Sequence, residues 1–225
     1  MIAEDHLKRI AAWSRELTER EIEVARAGII EKSYGTGEAI FMRGDTFAYW
    51  AGVVSGLVRM GVVTRDGKEA GLAGLTAGAW FGEGSVLKNE PRRYDVVALR
   101  ATRLALMERA TFMWLFENGV GFNRFLVRQL NERLGQFIGL LEYGRTLDAT
   151  ARLARSIAAM FNPILYPDST THLDITQEEL GALSGMSRQN ANRALNQLEK
   201  EGLLRLEYGG VTVLDIERLR SYGEE

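Results

Sequence analysis

The stretch from Thr176 to Gly202 constrains this chain more than any other, because it can close only as two helices meeting at a tight turn. Thr176-Gln177-Glu178-Glu179 has the form of a capping box, in which the hydroxyl and the carboxylate each satisfy a free backbone donor of the helix start. Leu180 and Leu183 follow at helical spacing, and Ser184-Gly185-Met186 breaks the helix after barely two turns. Ser187 is a good N-cap for a second helix, and Gly202 stands where a left-handed residue would end it after Lys200-Glu201. Two helices about a short glycine-containing turn make a helix-turn-helix.

On a helical wheel at about 100° per residue, Ala191, Ala194, Leu195 and Leu198 fall in one arc and must face a core. The opposite face is centred on Gln189, Arg193, Asn196 and Lys200, with Arg188 and Asn192 at its flank. These types suit nucleic acid: Arg forks onto guanine O6 and N7, Asn or Gln pairs with adenine N6 and N7, and Lys neutralises phosphate. The plain alternative is a solvated face. Against it, acid occurs only at Glu199, outside the reading arc. Leu203 to Tyr208 and Val211 to Leu214, joined by Gly209-Gly210, read as a hairpin wing, with backbone contact from Tyr208 or the glycine amides as one role and simple covering as the other.

Charge must be placed locally for this to work, because 28 basic against 30 acidic residues give no general attraction to phosphate. Residues 145–225 carry nine basic and twelve acidic side chains, yet 188–200 carry three basic and one acidic.

Upstream, Thr18-Glu19-Arg20-Glu21 is another capping box, predicting a helix to about Ala27, and Leu7, Ile10 and Ala11 predict a helical arm before it. Between Gly28 and Gly84 lie 13 of the 24 glycines, separating short apolar runs such as Ala39-Ile40-Phe41-Met42 and Gly56 to Val63. Short strands between turns follow, with Arg65-Asp66-Gly67-Lys68 as the clearest hairpin. A second β stretch, Tyr94 to Met107, comes after a pocket-like interruption at Gly82 to Arg93. Helix resumes at Glu108. From Gly119 to Gly144 apolar residues recur at Phe122, Leu126, Leu130, Leu134, Phe137 and Leu141, a stripe on a helix of roughly 39 Å. Either the stripe packs on its own β domain or it pairs with a second helix. Asp148 to Phe161 is a further helix and Pro163 to Leu173 a loop.

Composition narrows the chemistry. The chain has no cysteine and only His6 and His172, which excludes cysteine-ligated iron–sulfur clusters and sulfur-based zinc sites and disfavours haem or any metal site. No nucleophile–base pairing stands out, so an enzyme is not expected. The acidic start lacks the basic and apolar regions of a secretory signal, and no run of about 18 apolar residues suggests a membrane span. The expectation is a cytoplasmic protein.

Taken together, the chain resembles the Crp/Fnr family of transcription regulators over nearly its whole length. "SYGTGEAIFMRGD" and "AGVVSGLVRMG" are similar to the opening strands of that family's cyclic-nucleotide-binding β-roll, and "GAWFGEGSVL" to its phosphate-binding turn. "LDITQEELGALSGMSRQNANRALNQLEKEGLL" is similar to its DNA-binding signature. The resemblance implies an α+β chain: an effector domain over 1–118 built as a jelly-roll-like β-roll with N-terminal helices, a long dimerisation helix over 119–145, and a winged helix-turn-helix over 146–225. It implies a homodimer on a near-palindromic double-stranded DNA site, with Ser187, Arg188, Gln189, Asn192, Arg193, Asn196 and Lys200 at the DNA. The Asn162 to His172 loop lies where activating members touch RNA polymerase.

In the effector pocket the match is looser. Gly82 and Glu83 fit the phosphate-binding turn, with Gly84 and Ser85 supplying further amides. The family's Arg-Ser or Arg-Thr pair is absent in either register, which gives Arg92-Arg93 or Arg93-Tyr94. Phe137 and Ile138 stand where hydroxyls would meet a purine. A cyclic nucleotide, another small anionic ligand, or no ligand at all remain open. A ligand sensor acting on a protein partner instead of DNA is the competing function.

Overall fold

The computed structural model describes residues 1–63 and 69–224. The expected hairpin at Arg65 to Lys68 lies outside the described residues. The chain opens with helix α1 (Glu4–Ile10), a 3-10 turn (Ala12–Glu16) and helix α2 (Glu19–Ala27). Both halves of the expected capping box start α2: Thr18 Oγ1 accepts from Glu21 N, and Glu21 Oε2 accepts from Thr18 N at 2.7 Å.

Strands β1 (Ile29–Tyr34), β2 (Ala39–Phe41), β3 (Tyr49–Ser55), β4 (Val58–Val63), β5 (Glu69–Leu75) and β6 (Trp80–Phe81) come next. The short helix α3 (Glu83–Lys88) interrupts them before β7 (Asp95–Ala98) and β8 (Thr102–Glu108). They form two four-stranded antiparallel sheets, ordered β1-β8-β3-β6 and β2-β7-β4-β5. This is the expected roll. The second β stretch is two strands rather than one, because the chain turns at Leu99 to Ala101 to pass from one sheet to the other.

The roll is closed at one end by the N-terminal helices around an aromatic cluster. Trp13 lies 5.3 Å from Trp50, 5.2 Å from Trp80 and 5.6 Å from Phe122, ring centroid to centroid. Trp80 Nε1 donates to Ile10 O at 2.9 Å, so the burial of that indole does not strand a donor.

Helices α4 (Arg109–Asn118) and α5 (Val120–Thr146) follow, and only part of the α5 stripe packs on its own domain. Phe122, Phe125 and Leu126 are buried in the aromatic cluster, whereas Leu130, Leu134 and Leu141 are exposed. Phe137 packs against the roll core.

Helix α6 (Ala149–Ala159), strand β9 (His172–Leu173), helix α7 (Gln177–Leu183), helix α8 (Arg188–Lys200), strands β10 (Leu204–Glu207) and β11 (Gly210–Val213) and helix α9 (Ile216–Ser221) complete the chain. The end of the expected loop is thus a strand, and it joins the wing as a three-stranded sheet in the order β10-β11-β9. The wing turn is Tyr208-Gly209 rather than Gly209-Gly210. Gly209 supplies the left-handed residue at φ 77°, while Gly210 pairs with Glu207 and leaves room for the His172 ring, 2.6 Å at Nε2 from where a Cβ would stand.

Candidate DNA interface and effector pocket

Helix α8 begins where its sequence requires. Ser187 is extended and its hydroxyl accepts from Asn190 N at 3.3 Å, and Gly202 ends the segment at φ 74°. Ala191, Ala194, Leu195 and Leu198 are buried against α6, α7 and the wing. Four such side chains, each worth up to about 1.5–3 kcal/mol when it is as large as leucine, fix which face looks outward. That outward face gathers Ser187, Arg188, Gln189, Asn192, Arg193, Asn196 and Lys200, all exposed. Glu199 is turned off it, accepting from Leu206 N of β10 at 2.7 Å. The face is therefore free of carboxylate, as phosphate contact requires.

An amide chain runs across this surface. Asn192 Nδ2 donates to Gln177 Oε1 at 2.5 Å, and Asn192 Oδ1 accepts from Asn196 Nδ2 at 2.8 Å. Gln177, the first residue of α7, thereby joins the interface. Sequence reasoning treated it only as part of a capping box, although its position one residue past the cap of the preceding helix is the signal that places it there. Tyr208 stands fully exposed at the wing tip.

The second candidate site is a cavity of about 200 Å³ between α3, the roll and α5. Of the expected effector residues, Gly82, Glu83, Gly84, Ser85, Arg93, Tyr94 and Phe137 line it. Arg92 and Ile138 do not. Arg92 is buried behind the wall, where Nη1 donates to Gly82 O at 2.7 Å and Nη2 donates to Phe47 O at 2.8 Å and Tyr49 O at 2.5 Å. Phe41 and Phe47 cover its guanidinium at 4.7 and 5.1 Å. With both Nη atoms held by carbonyls and only the buried Nε left without a partner among the described residues, Arg92 braces the turn. Gly82, at φ 93°, leaves no room for a side chain over that guanidinium. Ile138 is absent from the cavity lining and is exposed.

Arg93 reaches the rim and pairs with Glu90 at 2.9 Å, mostly in solvent. Tyr94 is deep: burial, and then the Glu83 carboxylate, push its hydroxyl up to about 12, so it remains a neutral phenol at physiological pH. Burial likewise pulls the Arg92 guanidinium below its ordinary value.

Five lining residues were not among those expected from the sequence: Met60, Phe81, Lys88, Leu130 and Arg133. Leu130 and Arg133 project from α5, four and seven residues after Leu126. Arg133 is buried, with Nη1 donating to Gln136 Oε1 at 3.0 Å, while its Nη2 has no partner among the described residues. Glu83 is buried as well, and its Oε2 is in the same condition. A buried donor and a buried acceptor without partners each cost about 1–3 kcal/mol, a debt that a ligand offering the complementary groups would cancel. No cluster of three or more histidines and carboxylates suited to a metal occurs among the described residues, nor any helix long and apolar enough to cross a membrane.

Comparison with known proteins assigns a family to each half of the chain. Residues 31–118 match the cyclic nucleotide-binding domain family and residues 151–222 match the Crp-like helix-turn-helix domain family. The chain is 30% identical over 197 residues to a cyclic AMP receptor protein of Thermus thermophilus, covering 88% of this chain and 89% of that one. It is 29% identical over 190 residues to a CRP-like cAMP-activated global transcriptional regulator of Mycobacterium tuberculosis, covering 81% and 83%. Among solved structures, the Thermus thermophilus catabolite activator protein matches with a TM-score of 0.52 at 28% identity, over 92% of this chain and 97% of that one. FixK2 from Bradyrhizobium japonicum matches in fold with a TM-score of 0.70 at 22% identity, over 86% and 96%. Transcription regulation is not an enzyme class, and a helix-turn-helix with these relatives favours DNA over a protein target. The chain belongs to the Crp/Fnr family and is a DNA-binding transcription regulator.

Proposed function

We propose that two copies of this regulator pair along the exposed part of α5 and set their α8 helices into successive major grooves of a near-palindromic site. The observation that carries this reading is the α8 face, uniformly polar or basic and free of acid, on a helix whose other face is buried. Arg188, Gln189 and Arg193 read base edges, and Ser187, Asn196 and Lys200 hold phosphates. Asn192 has its amide engaged by Gln177 and Asn196. It acts first by ordering those two.

Pairing is supported by Val120, Val127, Leu134 and Leu141, which recur every seven residues along α5 and are all exposed. That is the heptad pattern of a two-stranded seam. On such a dimer the two recognition helices stand about 34 Å apart, one DNA turn. The work is done where the DNA is, in the cytoplasm, and the loop between α6 and β9 is the surface offered to RNA polymerase.

The cavity serves as the effector site. Glu83 asks for a donor and Arg133 for an anion or acceptor, against a largely apolar wall including Met60, Phe81 and Phe137. A small anion with a hydroxyl and a flat body meets those demands. Cyclic AMP, which activates the Mycobacterium relative by that protein's name, is one such molecule.

The test is fluorescence anisotropy on an inverted repeat selected from random DNA. Arg193→Ala should cost about 1–3 kcal/mol on that repeat while the dimer persists. Unchanged binding would remove α8 as the reading helix. Repeating the titration with cyclic AMP and with small anionic metabolites reads the effector.

A further inference from the structure

Between α5 and α6 the backbone offers little control. Leu147 (φ −104°, ψ 151°) and Asp148 (φ −69°, ψ 176°) are extended, so two residues join the pairing helix to everything that reads DNA. A joint that short and unsupported would let the reading unit swing unless side chains tie it down. Some ties run to α5 itself, where Asn162 Nδ2 donates to Glu132 Oε2 at 2.6 Å and the Arg155 guanidinium lies 5.0 Å from the Tyr143 ring; the others run to the roll. Leu57 belongs to the apolar core of the C-terminal unit and Leu99 packs on that core, while Leu165 and Tyr166, from the loop after α6, belong to the core of the roll. Arg100, in the turn between β7 and β8, forks onto Glu179 of α7, Nε to Oε1 at 2.9 Å and Nη2 to Oε2 at 2.5 Å.

Two glycines inside β5 let α7 come close. A Cβ on Gly71 would stand well inside contact distance of the Leu183 carbonyl oxygen, and one on Gly74 would lie 2.5 Å from Leu183 Cδ1. The space those side chains would fill is where the last turn of α7 sits. Glu179 responds to its seat. Burial alone would raise its carboxyl, but hydrogen bonds from Arg100 and Thr176 prevail and hold it below the ordinary range.

We infer that this seating of α7 on its own roll, through Gly71, Gly74, Leu183 and the Arg100–Glu179 pair, determines which spacing between DNA half-sites the regulator accepts. The inference rests on the two-fold reading proposed above. Adding one base pair moves the half-sites apart by about 3.4 Å and turns them by about 34°. A reading unit clamped to the roll cannot follow that displacement; an unclamped one on a two-residue joint can. Spacing selectivity is then a property of the sensor domain, and base selectivity a property of α8.

The experiment uses the full-length protein and four duplexes: the selected inverted repeat, the same repeat lengthened and shortened by one base pair, and a single half-site. Gly71→Ala adds one methyl group against a backbone oxygen that cannot rotate away, and Arg100→Ala removes the fork while Thr176 still caps α7 with Glu179. Neither touches α8 or the α5 stripe. Both variants should lower the wild-type preference for the native spacing by roughly tenfold, with half-site affinity unchanged and the dimer intact by sedimentation. Variants that keep the wild-type spacing preference overturn the inference. So does a matching fall in half-site affinity, which would mean that the seat only holds the fold. If the wild type itself ignores spacing, the two-fold reading fails first, and the wild-type lanes alone reveal it.

Discussion

The apolar stripe of α5 drifts round the helix from a covered face to an open one. Phe122 and Leu126 are fully covered by the tryptophan cluster, while Leu134 and Leu141, two to four turns on, are 58% and 66% exposed. The rhythm is a property of the helix, set by its 3.6-residue turn. What covers the stripe is a property of its neighbours. On the first face the covering is intramolecular, from Trp13, Trp50 and Phe112. On the other face, which Val120 and Val127 share from the start of the helix, the described residues leave Leu134 and Leu141 mostly exposed, and that apolar face stays open to a second copy.

The contrast breaks first at Phe122. Phe122→Ala removes a ring packed on three aromatic partners and should cost about 3–5 kcal/mol of folding stability, read from the midpoint of chemical denaturation. A loss under 1 kcal/mol would show that the cluster is not the anchor of α5. Leu134→Asp, on the other face, should leave that midpoint nearly unchanged and dissociate the dimer instead. Because a two-fold axis presents the substitution twice, the dimer dissociation constant should rise by about 100-fold, close to 3 kcal/mol. Sedimentation at falling concentration checks it. A variant that unfolds rather than dissociates would mean that the exposed face is covered from within.

What could be read from the sequence follows the same division between local and non-local causes. Ser187, Thr176 and Gly202 act on their own helices, and the burial of Ala191, Ala194, Leu195 and Leu198 follows from period alone, so the α8 face was legible residue by residue. Arg92 and Arg93 were not separable. They are adjacent, equally basic and placed in a turn, and only the carbonyls of Gly82, Phe47 and Tyr49, distant in sequence, decide which one goes inward. The glycines misled in a similar way. Density suggested turns throughout Gly28 to Gly84, yet Gly71 and Gly74 lie within β5 and make room for a helix more than 100 residues away in the chain. Arg133 was hidden because an arginine on an amphipathic helix reads as solvated until the roll is folded over it.

Leu130 sits at the border between the two faces, and the smallest expected effect is the most informative. It lines the effector cavity and is also 40% exposed on the side of the stripe. On the proposed reading, a ligand in the cavity would touch the same side chain that the partner helix would touch. Coupling of this kind needs the ligand to favour one arrangement of the seam, since equal affinity for both would shift nothing. Leu130→Ala should weaken pairing by only about 1 kcal/mol per copy, because the side chain is already partly covered by its own chain. Its larger consequence should be loss of communication: an effector that tightens the wild-type dimer should bind the variant and leave its dissociation constant where it was. Sedimentation with and without saturating ligand measures both quantities at once. A variant dimer that still tightens on ligand binding would move the coupling to another α5 position, and Phe137, which lines the cavity and packs on the roll core, is the next side chain on the same helix to test.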